Sequence, residues 1–450
     1  MIYIQNARII NEGSSFIGGV IIEDEIIAKV FNYEYGRPDP HKIRDCTVID
    51  AEGMYLAPGI IDDQVHFREP GATWKGDIES ESRAAIFGGI TSYMDMPNNN
   101  PPVTDIETLE NKYRIAAEKS FANYSFYLGA DNDNIREILK IDKREVCGVK
   151  VFMGSSTGNM LVDNPKTLEE IFRQSPVLIA THCEDEAIIK KNLITAKEKY
   201  GESIPFSMHP EIRSREACIA STQKALNLAI KHGTRLHILH ISTAEEVEMI
   251  MEAKRINPNI SAETCVHYMW FDSSQYNYLG AKLKCNPAIK NKSDRDAIIE
   301  GVRSGAIDVV ATDHAPHLLS EKDNLYLNSP SGLPLVQHSL LMMLELHHKG
   351  IFSITEVIDK MCHSPAKQYG IDKRGYIREG YYADLILFRT GDHAKYEISK
   401  DNIAYKCEWS PLEGAVFHSQ INHTFVNGKH IVAEGKLTGT RSPKRLTFKR

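Results

Sequence analysis

Between about residues 56 and 370, short apolar runs alternate with longer stretches whose apolar positions recur every three or four residues. The first kind predicts buried strands, at 55–66, 90–96, 122–130, 146–153, 177–182, 234–241, 259–266 and 306–312. The second predicts helices such as 79–87, 106–120, 184–199, 212–231 and 244–254, the last opened by Ser242 and Glu245 at capping-box spacing. Eight strands, each followed by helix, predict an α/β fold of the (β/α)8 TIM-like barrel type. An open doubly wound sheet fits less well, because no Gly-rich phosphate fingerprint follows an early strand.

The two ends read differently. Strand-like runs at 1–10, 19–22, 26–31 and 47–49 are separated by Gly, Asn, Asp and Pro, and similar runs return at 383–388 and 421–429. Asn427-Gly428 in the last of these is a hairpin-turn signal. A small β unit at either end would lack partners, so residues 1–55 and 371–450 are expected to build one β-sandwich. The barrel, 56–370, is inserted in it.

Composition sets limits on partners. The 450 residues are 42% hydrophobic and 25% charged, ordinary for a globular chain. Sixty acidic against 53 basic residues leave a formal charge of -7, which argues against nucleic acid or an anionic membrane as partner. Arg441, Lys444, Arg445, Lys449 and Arg450 form a basic end, read as a solvated tail. The 8 cysteines contain no C-x-x-C pair and several fall within apolar strands, as in a reduced cytoplasmic protein. Neither an export signal nor an apolar run of the ~18 residues a membrane span needs is expected.

Polar residues break the apolar pattern at the strand ends. The stretch Pro58-Gly59-Ile60-Ile61-Asp62-Asp63-Gln64-Val65-His66-Phe67-Arg68-Glu69-Pro70-Gly71 reads as one strand. With period two, it places Asp62, Gln64, His66 and Arg68 on one face, lining a polar cavity or metal site. His182, His240 and Asp313 close or follow three further strands, and in such a barrel all would converge with His66 on one rim. A lone strand-end histidine is usually structural. Four groups at four strand ends suit zinc or a similar divalent ion with an open position for water. His237 faces the other way on its strand and is read as packed or hydrogen-bonded. Lys150, within the fourth strand, is either a lysine that snorkels out or pairs with an acid, or a desolvated neutral amine that captures carbon dioxide as a carbamate bridging two metals. From the residues alone the two readings stand level. Asn98 follows the second strand, and there a turn role and a hydrogen-bonding role are both open. Arg68 matches a substrate carboxylate bidentately, against a salt bridge to Glu69 or Asp77.

Taken together, these segments resemble the amidohydrolase superfamily and, more narrowly, the class I dihydroorotases. The likeness runs from Pro58-Gly59 through Ala311-Thr312-Asp313-His314-Ala315-Pro316-His317 to Gly380-Tyr381-Tyr382-Ala383-Asp384-Leu385. The resemblance implies a zinc-dependent cyclic amidohydrolase that closes N-carbamoyl-L-aspartate to L-dihydroorotate, reversibly, in pyrimidine biosynthesis. It implies metal ligands His66, Lys150 (as a carbamate), His182, His240 and Asp313, with Asp313 also general base and acid. Arg68, Asn98 and His317 would hold the carboxylate and Asn286 the pyrimidine ring. The segment 318–334 would be the mobile loop over the substrate. Gln64 departs from the family's His-x-His, so one metal is expected to bind firmly and a second weakly. The resemblance also allows a homodimer and association with aspartate transcarbamoylase. Two alternatives stay open: a hydantoinase or allantoinase, or a catalytically inert dihydroorotase-like subunit that scaffolds the transcarbamoylase.

Overall fold

A computed structural model describes residues 1–41, 43–154 and 160–450. Its centre is a ring of eight parallel strands: β1 (Ile60–Val65), β2 (Ile90–Asp95), β3 (Asn123–Phe126, resuming as Leu128–Gly129), β4 (Val149–Phe152), β5 (Ile179–His182), β6 (Leu236–Ile238), β7 (Ile260–Cys265) and β8 (Val309–Ala311). The ring closes where Val65 bridges His314 and the His66 amide donates to the His314 carbonyl at 2.7 Å. Helices Ile78–Phe87, Ile106–Lys119, Glu186–Tyr200, Arg215–His232 and Ala244–Ile256 cover the outside. Outward residues such as Ile60, Ile179, Leu236 and Ile260 pack against them in one continuous core.

The N-cap of the helix Ala244–Ile256 lies one residue later than the spacing of Ser242 and Glu245 suggests. Thr243 is the N-cap and accepts from the Glu246 amide at 3.2 Å. Glu246 faces the core, where Thr222 and Thr243 hydroxyls hold its carboxylate. Glu245 faces outward to Arg215. Burial chooses between two boxes of equal spacing.

Both chain ends build one sheet. The strand Leu385–Thr390 lies between Tyr55–Pro58 and Ser419–Val426, so it joins N-terminal to C-terminal strands. Ile2–Asn11 and Ser14–Glu23 extend it on one side and Lys429–Ala433 on the other. The sheet encloses its own core, with Ile4, Ile9, Val20, Leu56, Leu387 and Phe425 buried together. Asn427 and Gly428, at φ 47° and 73°, form the tight turn their sequence foretells. Gly59 makes the step from this sheet into β1, where a Cβ would lie 2.1 Å from the Thr91 hydroxyl.

The basic end is not a solvated tail. Leu446 and Phe448 are buried against Met94, Tyr127, Leu178 and Tyr369, inside the barrel. Arg445 pairs with Glu110 at 2.9 Å and stacks on Tyr113, and Lys449 pairs with Asp372. Arg450 donates to the Val146 carbonyl at 3.0 Å. Charge counting misses the apolar Leu446 and Phe448 between the cations, and it is these that dock the segment. Among the described residues no helix is long and apolar enough to cross a membrane.

Candidate active site

A single pocket at the carboxyl ends of the strands is lined by all nine residues that the sequence singles out for chemistry. β1 supplies Gln64, the segment after it His66 and Arg68, the loop after β2 Asn98, β4 Lys150 and β5 His182. His240 follows β6, Asn286 comes from the segment after β7, and Asp313 and His317 follow β8.

Asp62 is the exception on the first strand. An extra residue lies between Asp62 and Val65 relative to Tyr93 and Asp95 of β2, and this bulge breaks the period of two. Asp62 therefore turns away and accepts from the Thr312 hydroxyl at 2.6 Å, fully buried, with burial pushing it up to about 8. Simple alternation also fails at the other strand ends. In β6 the residue that faces the barrel interior is His237. His240 reaches the pocket with φ 41°, and Asp313 and Arg68 take φ 47° and 68°. Three non-glycine residues in the left-handed region within one pocket mark a backbone held for function.

The polar atoms converge. His66 Nε2 lies 3.1 Å from Asp313 Oδ1, and His182 Nδ1 lies 2.9 Å from His240 Nε2. The far side of each ring is engaged: His66 Nδ1 is 2.8 Å from Asn98 Oδ1, and His182 Nε2 is 2.9 Å from Glu184 Oε2. Such contacts orient both rings toward the pocket. Glu184 is buried and paired with Arg213. Burial pulls both His182 and His240 down, opposed at His182 by Glu184. Burial would raise Asp313, but its His66 hydrogen bond and the nearby histidine charges outweigh it and hold the carboxyl at about 2.

Lys150 makes no ion pair among the described residues; its ammonium sits over the Phe152 ring at 4.7 Å and faces the pocket. Burial pulls it down to about 8, against the opposing pull of Asp313 and Glu263. Neutral imidazoles, an ionised carboxylate and a readily neutralised lysine fit a divalent metal, because all present lone pairs to one space. Gln64 spends its amide on Asp313, donating to Oδ1 at 3.1 Å.

A cationic corner adjoins this cluster. Arg68 does not pair with Glu69 or Asp77, which are engaged by Lys119 and Lys406. Its Nε donates to the Pro316 carbonyl at 3.2 Å and Nη2 lies 3.0 Å from His317 Nε2. Lys75 Nζ lies 3.1 Å from the other ring nitrogen, so burial and two neighbouring cations keep His317 neutral. Nearby, the buried Asn286 Oδ1 has no hydrogen-bond partner among the described residues. An arginine and an amide oxygen lining one space, with Lys75 behind the His317 ring, suit an anionic ligand that also carries an N–H donor.

Residues 318–334 reach the pocket through Ser331 and Gly332. Lys322 donates to the carbonyls of Lys284, Pro330 and Gly332, and Lys284 donates to those of Tyr326 and Ser329. Five lysine hydrogen bonds tie down a segment whose composition suggests mobility. Sequence reasoning missed Lys75, Glu184 and Arg213. Glu184, two residues after a strand-end histidine, offers the one readable signal, while Lys75 and Arg213 arrive from loops whose course the sequence does not reveal.

Known proteins resemble this chain over most of its length. The profile of the amidohydrolase family matches residues 55–431. The dihydroorotase of Methanosarcina acetivorans is 33% identical over 430 residues, covering 92% of this chain and 89% of that protein. The dihydroorotase of Clostridioides difficile is 30% identical over 438 residues, 95% of this chain and 99% of that one. Among solved structures, an L-hydantoinase from Arthrobacter aurescens superposes with a TM-score of 0.92 at 23% identity, covering 99% of both chains. A dihydropyrimidinase from Brevibacillus agri gives 0.89 at 24%, over 100% of this chain and 99% of that one. At those identities the structural likeness speaks to the fold.

Proposed function

The chain belongs to the amidohydrolase family, and we propose that within it the chain is a dihydroorotase, closing N-carbamoyl-L-aspartate to L-dihydroorotate and reopening it as a step of pyrimidine synthesis. The observation that carries this reading is the cationic corner of Arg68, Lys75 and His317 beside the His and Asp cluster. A cyclic amide without a carboxylate has no use for it. The similarity to proteins named dihydroorotase over nearly the whole chain supports the same choice.

His66, Lys150 as a carbamate, His182, His240 and Asp313 would hold zinc, which when bound lowers the pKa of water and polarises a carbonyl. The chain's own groups account for the rest. Arg68 grips the ring carboxylate in a two-pronged contact and fixes the ring, while Asn286 Oδ1 accepts from a ring N–H. In the opening direction, water oxygen bonds to the ring carbonyl carbon and the carbon–nitrogen bond breaks. Asp313, ionised in its histidine surroundings, accepts the proton of that water and delivers it to the departing nitrogen. Closure runs the same steps backwards. Asn98, through His66, and Glu184, through His182, act as positioning residues. The eight cysteines, all free and seven of them buried, support a reducing, cytoplasmic setting.

Arg68→Ala should lower kcat/KM on dihydroorotate by about 100-fold, the worth of two charged hydrogen bonds, with bound zinc unchanged. Unaltered kcat/KM would refute the assignment of the corner.

A further inference from the structure

The bulge that turns Asp62 away also turns Asp63 inward, to a second cluster inside the barrel. There Asp63, His237 and Glu263, on β1, β6 and β7, are all fully buried. His237 Nε2 lies 3.2 Å from Asp63 Oδ2 and 3.2 Å from Glu263 Oε2. Apart from that ion-pair contact, neither oxygen of the Asp63 carboxylate has a hydrogen-bond partner among the described residues. Burying an unpartnered carboxylate is costly, so a positive centre belongs against it.

The other side of the imidazole indicates which positive centre. Ser261 Oγ donates to the Leu236 carbonyl at 3.3 Å, and it therefore receives the proton of His237 Nδ1 at 2.7 Å. Burial would lower the ring's pKa, but the Asp63 and Glu263 carboxylates outweigh it and raise it to about 9, so the ring gives up its Nε2 proton, and offers that lone pair, only to an ion that replaces it. With a metal ion in place of that proton, three acceptors would meet it at one point. Donor atoms about 2.1 Å from a tetrahedral zinc ion stand about 3.4 Å apart, close to the 3.2 Å between His237 Nε2 and each carboxylate.

We propose that Asp63, His237 and Glu263 form an interior metal site, separate from the pocket, that takes a zinc-like divalent ion. His237 Nε2, one oxygen of Glu263 and the two oxygens of Asp63 supply four donors. Two carboxylates and a neutral imidazole balance a doubly charged ion, leaving the barrel interior uncharged. Tyr127 donates to the Asp63 carbonyl at 2.9 Å and Tyr369 packs on the His237 ring, closing the site from water. The ion enters during folding and exchanges slowly.

The test is anomalous diffraction at the zinc edge on crystals of the full chain, reconstituted with zinc chloride and dialysed, together with metal analysis of the same batch. The expected result is a peak about 2.1 Å from His237 Nε2, whatever the occupancy of the pocket. Asp63→Asn should lose one zinc equivalent per chain. A map with no peak between these three residues would overturn the proposal and leave His237 as an imidazolium. Full retention of zinc by Asp63→Asn would also count against it. Should that variant not fold, the wild-type map decides alone. Peaks in the pocket report on the proposed function, so the two readings fail separately.

Discussion

Gln64 stands where an imidazole would complete a metal-binding pair with His66, and its amide nitrogen points at Asp313 Oδ1 from 3.1 Å. An amide N–H cannot ligate a cation, so the His66 side of the pocket is one donor short. Gln64→His should convert a weakly held zinc equivalent into one that survives dialysis, as read by metal analysis. Unchanged stoichiometry would remove Gln64 from that role. At this scale the sequence exposed His66, His182, His240 and Asp313, because a polar group at the end of a buried apolar run costs stability unless something binds it. It concealed the direction of Asp62 and Asp63, since a bulge of one residue leaves no compositional trace. His240 and Asp313 reach the pocket through positive φ angles that their residue types do not announce.

Elements were legible where periodicity was strong. The eight barrel strands fall within the runs expected of them, shortened at their ends. The first run divides at Gly59 into Tyr55–Pro58 of the outer sheet and Ile60–Val65 of the barrel. Composition records the Ser, Asn, Pro and Gly of segment 318–334 but not the contacts that Lys284 and Lys322 make with its backbone. Lys322 reaches three carbonyls, at 3.1, 2.9 and 3.1 Å. Lys322→Met removes all three and should raise KM several-fold with a smaller change in kcat, since Ser331 and Gly332 would no longer be held at the pocket. Equal KM values for variant and wild type would show that the segment is positioned by other contacts.

The whole molecule depends on an arrangement in which the ends of the chain enclose its middle. The strand Leu385–Thr390 joins the two halves of the outer sheet, and the last residues lie against the barrel interior. Phe448→Ala should therefore destabilise the protein by about 3–5 kcal/mol, as for a buried aromatic, and lower its thermal midpoint. A solvated tail would leave the midpoint where it was. For activity, everything turns on whether the cationic corner selects a carboxylated ring. The deciding comparison is kcat/KM of the zinc-loaded protein on dihydroorotate, dihydrouracil and allantoin side by side. Turnover of dihydroorotate should exceed either of the others by at least about 100-fold. Preference for dihydrouracil or allantoin, or no turnover of any of the three at any zinc concentration, would contradict that selection.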